Sequence, residues 1–413
     1  MTRYDKIGEY LLIHGLMFLF PLTGFLFEEY RSPIGLINYD MFWLFILSFY
    51  MVYGIFSNKR LSFSRTFVLL LVYYGYLIIN AIVNNYSAKI LKTDIFIFIT
   101  SSLTILLIDN LSFSKSSLSL LRRNIFILIT LTLAGSFSQI FIDSSLFVPA
   151  DRYEQLSRID FAGYWRNSSI FDSLMENQGG IMFIFMMFLF WQSSSSEEIK
   201  KQSLAIFFLI LIGVMTFTRY VFLSQIMILV YFNFFAKRFT LKRTIAIGLC
   251  SIILMILFLT NENTILSSDF IQTRLLADVS GRTNDPFYFF QRYLSEHNIL
   301  FGTGASSFDI EYFYSDIQRL HSGIWDLFFQ GGIIGLILYL SVIYQFYRKC
   351  RFVFRKTGDS TFLLGPMIII LINFTARLNY FYFLGLILFY LVITINVKLI
   401  QNKVDMRINN IDI

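Results

Sequence analysis

The chain has 413 residues, of which 56% are hydrophobic and only 15% charged, with a net charge of +7 and a mean hydropathy of +0.63. A soluble domain carries about 25% charge, so this composition excludes one and points to a polytopic membrane protein. The positive charge falls in short gaps between apolar runs rather than along one face, which argues against a nucleic-acid surface.

Apolar runs approaching the roughly 20 residues that cross a bilayer recur along the whole length. In chain order the sequence predicts about twelve spans. They lie near 8–27, 39–56, 66–84, 94–109, 124–142, 176–192, 203–218, 219–236, 243–260, 323–346, 362–376 and 379–399. The expected fold class is therefore all-α, one integral membrane domain over 1–413 with both termini cytoplasmic. The first run, Ile7 to Phe27, has no small-residue cleavage pattern and is followed by another span. It is expected to stay as a helix and not to be removed as a signal peptide. Ser193–Ser196 reads as a solvated turn. Cys250 falls inside an apolar run and Cys350 in a basic loop, at different depths, so no disulfide is expected.

Charge sets the orientation. With the N-terminus inside, most of the 34 Lys and Arg fall in inside segments, and the short outside loops are nearly devoid of them. Two outside loops are too long for simple turns, 143–175 and 261–322, and long ordered loops tend to be functional. Arg152, Arg158, Arg166, Arg219, Arg274, Arg282, Arg292, Arg319 and Arg377 lie outside, most of them in these two loops. Arginine offers a planar fork suited to phosphate and carboxylate, and it keeps its charge at low dielectric.

Titratable chemistry is sparse. His14 lies in the first span and reads as a packed or interfacial histidine. His297 follows Glu296 with no Cys or second His nearby, too few ligands for zinc. No cofactor is expected, although carboxylates could hold a magnesium ion. His321 precedes Ser322 and the apolar run that begins at Ile324, so it stands just outside a helix N-terminus at the outer membrane face. Ser322 suits an N-cap and Asp326 the first turn. The positive helix end favours an anionic ligand there and disfavours protonation of His321, which leaves the imidazole able to act as a base. The alternative is a histidine that simply bonds the interface. Asp326, five residues later, is well off the same helical face, which argues against a His–Asp pair.

Three further features have bland readings. Gly331 and Gly335 form a GxxxG suited to close helix packing. Gly302-Thr303-Gly304 lacks the Lys-Ser/Thr of a phosphate loop and reads as a turn. Arg219, in Thr216-Phe217-Thr218-Arg219, stands at the outer boundary between two apolar runs. Burying it in a single long span would cost roughly 2.5–3.5 kcal/mol. Arg282 follows a glycine turn in Ser280-Gly281-Arg282. A salt bridge is the plain alternative for each.

Over residues 204–340 these features resemble the O-antigen ligase/polymerase superfamily, which holds Wzy polymerases and WaaL-type ligases. Thr216-Phe217-Thr218-Arg219 is similar to the family's Thr-x-Ser/Thr-Arg segment opening a span. Ser280-Gly281-Arg282, then Leu300-Phe301-Gly302-Thr303-Gly304, is similar to the Gly-Arg and Leu-x-Gly-x-Gly of its large periplasmic loop. His321-Ser322, Asp326 and Gly331-Gly332-Ile333-Ile334-Gly335 are similar to its His-Asn/Ser, acidic, Gly-x-x-Gly start of the next span. The first 200 residues match in topology only.

The resemblance implies a glycosyl transfer on the periplasmic face of the bacterial inner membrane, without metal or sugar nucleotide, from a glycan on undecaprenyl diphosphate. By that likeness Arg219 and Arg282 would bind the diphosphate, and His321 would activate the acceptor hydroxyl for inverting attack. Residue chemistry agrees: two arginines can offset a developing diphosphate charge, and a neutral histidine can take a proton near pH 7. Polymerases of this kind carry an Arg-x10-Gly pattern in an outer loop. Arg152 and Gly163 have that spacing, whereas Arg292 meets Thr303 at the required position. Arg152, Arg158 and Arg166 could hold a second acidic or lipid-diphosphate substrate, with Arg274 and Arg292 as further contacts, which favours a polymerase over a ligase to lipid A-core. A chain-length-determining co-polymerase and a flippase would be its partners. A lipid-linked oligosaccharide flippase is the alternative of another class, but such transporters place polar residues within the spans and keep loops short.

Overall fold

The computed structural model describes residues 3–15, 39–56, 61–84, 88–142, 204–205, 207–212, 298–304, 323–358, 362–363 and 378–409. Among these, seven long helices occur and no strand: α1 Arg3–His14, α2 Tyr39–Phe56, α3 Arg65–Val83, α4 Ala88–Asn110, α5 Lys115–Phe141, α6 Gly323–Thr357 and α7 Leu378–Asn409. Residues 207–212 are also helical, within the expected span 203–218. The expected spans 176–192, 219–236 and 243–260, and most of 362–376, lie outside the described residues.

Three stretches are long and apolar enough to cross a membrane: Arg65–Val83, Lys115–Gln139 and Ile324–Thr357. Shorter apolar stretches are Phe45–Gly54, Phe98–Asn110 and Ile387–Asn402. Their outward faces carry the same message. The exposed side of α3 is Val68, Val72, Ile79, Ile82 and Val83, and that of α6 includes Ile337, Leu340 and Tyr344. An apolar exterior opposite an equally apolar interior marks a helix solvated by lipid, because a water-facing helix is polar on its outer side. The protein is a helical membrane protein.

Helix ends follow local chemistry. Ser64 caps α3, its hydroxyl accepting from Phe67 N–H at 3.1 Å. Gly358, at φ 72°, ends α6, with its N–H donating to Phe354 C=O at 2.7 Å. Cys350 is therefore not in a loop. It is buried on α6, because Arg348, Lys349 and Arg351 are good helix formers and nothing breaks the helix between Gly332 and Gly358. Hydropathy detects the greasy part of a helix, whereas backbone hydrogen bonding continues until a breaker. The same reason starts α5 at Lys115, nine residues before the apolar run at 124.

The chain divides into two compact units. The first comprises Met1–Tyr10, Asp40–Ser114 and Asp278–Ile413, the second Leu11–Tyr39 and Lys115–Ala277. In the first unit α3 packs on α4 and α6, and α7 packs on α4 and α6, closing a ring of four helices. Tyr76 of α3 meets Gly331 and Gly335 of α6, and Tyr73 meets Tyr339, so these helices run antiparallel. Phe346 stacks near Phe389 and Tyr390, and Lys349 reaches Tyr390 and Thr394, so α6 and α7 run parallel. Tyr4 of α1 stacks on Tyr50 and Tyr53 of α2, and Gly8 leaves room for Tyr50 and Leu111.

One end of the ring is tied by Asp109, near the end of α4. Its carboxylate accepts from Lys349 Nζ at 3.0 Å, from the Tyr390 hydroxyl at 2.7 and 2.8 Å, and from the Ser64 hydroxyl. Lys349 spends its other protons on the Tyr390 hydroxyl and on Thr394 Oγ1, at 2.5 and 3.0 Å. Lys398 of α7 donates to the carbonyls of Ile108 at 3.1 Å, Asp109 at 2.6 Å and Leu111, capping α4 with a cation. Asn110 pairs with both backbone groups of Ser62, at 2.7 and 3.0 Å.

In the second unit α5 buries Leu121, Ile125, Leu128 and Ile129 beside polar Ser117, Asn124, Thr132 and Ser136. Thr132 and Ser136 turn their hydroxyls back to Leu128 C=O and Thr132 C=O, satisfying them within the helix. Asn124 Nδ2 lies 3.1 Å from His14 Nδ1. An amide nitrogen only donates, so Nδ1 accepts, and His14 is a half-buried histidine hydrogen-bonded to a neighbouring helix.

Breaking the Lys349–Asp109 pair should be costlier than replacing it. Asp109→Ala leaves a largely buried ammonium without its counter-charge and is expected to lower stability by about 3 kcal/mol. The double variant Asp109→Ala/Lys349→Met should recover most of that loss. Thermal unfolding in detergent measures both, and equal melting temperatures for single and double variants would contradict the assignment.

Candidate functional site

The site begins where α6 stops being a regular helix. At Gly332 the backbone takes φ 61° and ψ −161°, a conformation open to glycine and not to residues with a Cβ. The ladder is interrupted, and carbonyls of residues 329–331 and amides of 333–334 lose their helical partners. In a bilayer no water replaces them, so another part of the protein must.

Residues 298–304 do so. Asn298 forms a turn: its carbonyl accepts from Phe301 and Gly302 N–H at 3.1 and 2.9 Å, and its side-chain oxygen from Leu300 N–H at 2.9 Å. The strip then lies in the break. Thr303 N–H donates to Phe329 C=O at 2.9 Å and Gly304 N–H to Gln330 C=O at 2.8 Å. In return Ile333 N–H donates to Ile299 C=O at 3.1 Å and Ile334 N–H to Leu300 C=O at 3.2 Å. Four backbone bonds thus join a loop to a broken helix.

Glycine makes the approach close enough. A Cβ on Gly302 would stand 2.4 Å from Gly332 N and 2.5 Å from Phe329 O. One on Gly332 would stand 2.5 Å from Leu300 C and O, and one on Gly304 2.7 Å from Asn80 O. Gly302 and Gly304 also hold positive φ, 71° and 85°. The packing read from Gly331 and Gly335 is present, whereas the turn expected at Gly302-Thr303-Gly304 lies just before it, at Asn298–Phe301, because residues 302–304 extend to pair with α6. They belong to one unit, which no local reading joins.

α3 closes the unit from the side. The Tyr76 hydroxyl lies 2.9 Å from Phe301 O and 2.8 Å from Gly331 O, with one proton to share between them. Asn80 Nδ2 donates to Phe301 O at 2.5 Å and to Gln330 O at 3.2 Å. Asn80 is only 7% exposed, so its amide is committed to these carbonyls. Gly331 and Gly335 leave the space in which Tyr76 and Leu77 lie against α6. Sequence reading passed over Tyr76 and Asn80 because both fall inside an apolar span. The signal was there: an amide in a lipid-solvated helix is costly unless partnered.

Asp326, in the first turn of α6, is 3% exposed, and Thr303 is fully buried. The sequence-predicted site residues His321, Arg219, Arg282, Arg152, Arg158, Arg166, Arg274 and Arg292 lie outside the described residues, as does Ser322. His321 stands two residues before Gly323, the first residue of α6, and Arg292 six residues before Asn298.

No protein-family model matches the chain, and no curated protein sequence matches it.

The glycine contacts predict a sharp contrast. Gly302→Ala or Gly332→Ala should cost more than about 2 kcal/mol, from positive φ and from overpacking. Gly75→Ala, where nothing lies within 4 Å, should be neutral or stabilising. Yield and melting temperature of the purified variants measure this, and a Gly332→Ala protein as stable as Gly75→Ala would refute the packing.

Proposed function

We propose that this chain is a polysaccharide polymerase of the inner membrane. It transfers a glycan from undecaprenyl diphosphate to the acceptor hydroxyl of another lipid-linked repeat unit at the periplasmic face. The observation that carries the reading is the joining of two of its sequence landmarks, Leu300–Gly304 and Gly331–Gly335, into one hydrogen-bonded unit in the described structure. Motifs matched by chance have no reason to be physical partners. Both belong to the stretch that bears Arg282, Arg292 and His321.

In the proposed reaction His321 takes the proton of the acceptor hydroxyl as its oxygen attacks the anomeric carbon. The bond from that carbon to the diphosphate oxygen breaks, and undecaprenyl diphosphate leaves with the electron pair. Arg219 and Arg282 offset the charge that builds on the leaving diphosphate. Arg152, Arg158, Arg166, Arg274 and Arg292 hold the lipid-linked substrates. Transfer to lipid A-core, as in a ligase, uses the same donor half of this scheme.

A transporter is the second reading, because discontinuous helices are a transporter feature whose freed carbonyls hold ions. The carbonyls freed at Gly332 are occupied instead: Phe329 by Thr303, Gln330 by Gly304 and Asn80, and Gly331 by Tyr76. That occupancy favours the enzyme.

Purified protein in liposomes, supplied with undecaprenyl-diphosphate repeat units, should lengthen the glycan without added metal. His321→Ala should abolish extension while the protein still inserts and folds. Arg282→Lys should lose most of the activity, because a point charge replaces a bidentate fork. A fully active His321→Ala would remove the base assignment, and an equally active Arg282→Lys would reduce Arg282 to a generic cation.

A further inference from the structure

Beyond the break at Gly332, α6 runs on as a regular helix to Thr357, and its residues sort by face. At about 100° per residue, Ile337, Leu340, Tyr344, Arg348, Arg351 and Arg355 fall within an arc of about 80°. All six are exposed. The other side, with Tyr339, Val342, Phe346, Cys350 and Val353, is buried. Lys349 turns inward to Asp109 at 3.0 Å. Along the helix axis the outward face therefore runs apolar, then aromatic, then basic.

The three arginines of this face have no counter-charge. The only acidic residue of α6 is Asp326, in its first turn. Arg348 touches the neutral Gln345 Oε1 at 3.5 Å, and among the described residues no carboxylate pairs with Arg348, Arg351 or Arg355. A merely solvated surface mixes charges of both signs. Here three planar forks, the shape that fits phosphate, share one face without an acid.

Depth identifies the anion. Ile337 and Arg348 are eleven residues apart, or roughly 16 Å at 1.5 Å per residue. One leaflet of hydrocarbon is about 15 Å, half of a core of about 30 Å. A phospholipid whose chains lie on Ile337 and Leu340 thus carries its phosphate to the level of Arg348. Tyr344, stacked on Tyr347 with ring centroids 6.3 Å apart, stands one turn short of that level, where aromatic side chains mark the edge of the hydrocarbon. Arg351 and Arg355 follow on the water side, and their long stems reach back toward the headgroups. A second copy of the chain is a poorer occupant, because two-fold docking on this face sets arginine against arginine.

We propose that the Ile337–Arg355 face of α6 is a docking surface for an anionic glycerophospholipid. Its acyl chains lie on Ile337 and Leu340, and its phosphate meets the forks of Arg348, Arg351 and Arg355. The surface is independent of the polymerase reading.

Native mass spectrometry of the full chain tests this, from micelles holding equal amounts of phosphatidylglycerol and phosphatidylcholine with the same chains. A basic residue near an anionic surface adds about fivefold in binding, so the wild type should retain phosphatidylglycerol over phosphatidylcholine at least about fivefold. Arg348→Gln/Arg351→Gln/Arg355→Gln should bring that ratio to within about twofold of parity. Lys6→Gln/Lys115→Gln/Lys356→Gln removes the same charge from exposed lysines off this face and should keep the wild-type ratio. Arg351→Gln alone, which should halve the ratio or more, decides the matter should the triple arginine variant not fold. A wild type without preference overturns the proposal, as does a preference that survives the arginine substitutions. Equal loss in the lysine variant overturns it too, because the attraction is then diffuse. Inorganic phosphate in excess should leave the lipid bound, since it offers no chains, and full displacement would make the face an anion site and overturn the lipid assignment.

Discussion

A helix broken in mid-course leaves amides and carbonyls without their helical partners, and burying each of them unpaired costs several kcal/mol. Gly332 breaks α6, and the structure around it is organised by that need. The strip 298–304 supplies the missing partners, and Gly302 and Gly304 let it approach within reach. Tyr76 and Asn80 complete the set from α3. A local backbone requirement thereby becomes a long-range tie between the strip 298–304 and two helices.

The opposite end of the four-helix ring is held by charge. Asp109 gathers Lys349, Tyr390 and Ser64, while Lys398 closes the last turn of α4. Such a buried pair adds less to net stability than its contacts suggest, because both ions lost their water. Its value lies in register: it fixes the depth of α4 against α6 and α7. With one end fixed by ions and the other by backbone bonds, α3 and α6 cannot slide past each other without breaking one set.

Much of this frame was legible in the sequence. The run 39–56 coincides with α2, and 66–84 with α3 to within a residue, because apolar length and helix length agree where polar residues flank both ends. Agreement fails where a helix runs on through polar residues, as α6 does past Lys349 and Cys350 to Gly358. Gly331 and Gly335 pack a neighbouring helix as their spacing suggests, but Gly332 between them carries the break, and Gly302 serves the strip that fills it and not a turn. Pairing between residues thirty positions apart leaves no periodic trace. Nor could Asp109 announce Lys349 and Tyr390, since each belongs to a different helix, far apart in the chain. Of the expected 261–322 loop, residues 298–304 are described, while His321 and the arginines lie outside the described residues and rest on sequence chemistry alone.

The most direct test of the polymerase account is deletion of the gene in its native host, with lipid-linked and surface glycans resolved by gel and mass spectrometry. The account predicts surface lipid carrying a single repeat unit, with no ladder of longer chains. Full-length polymer stranded on undecaprenyl diphosphate above bare core would contradict it and identify a ligase.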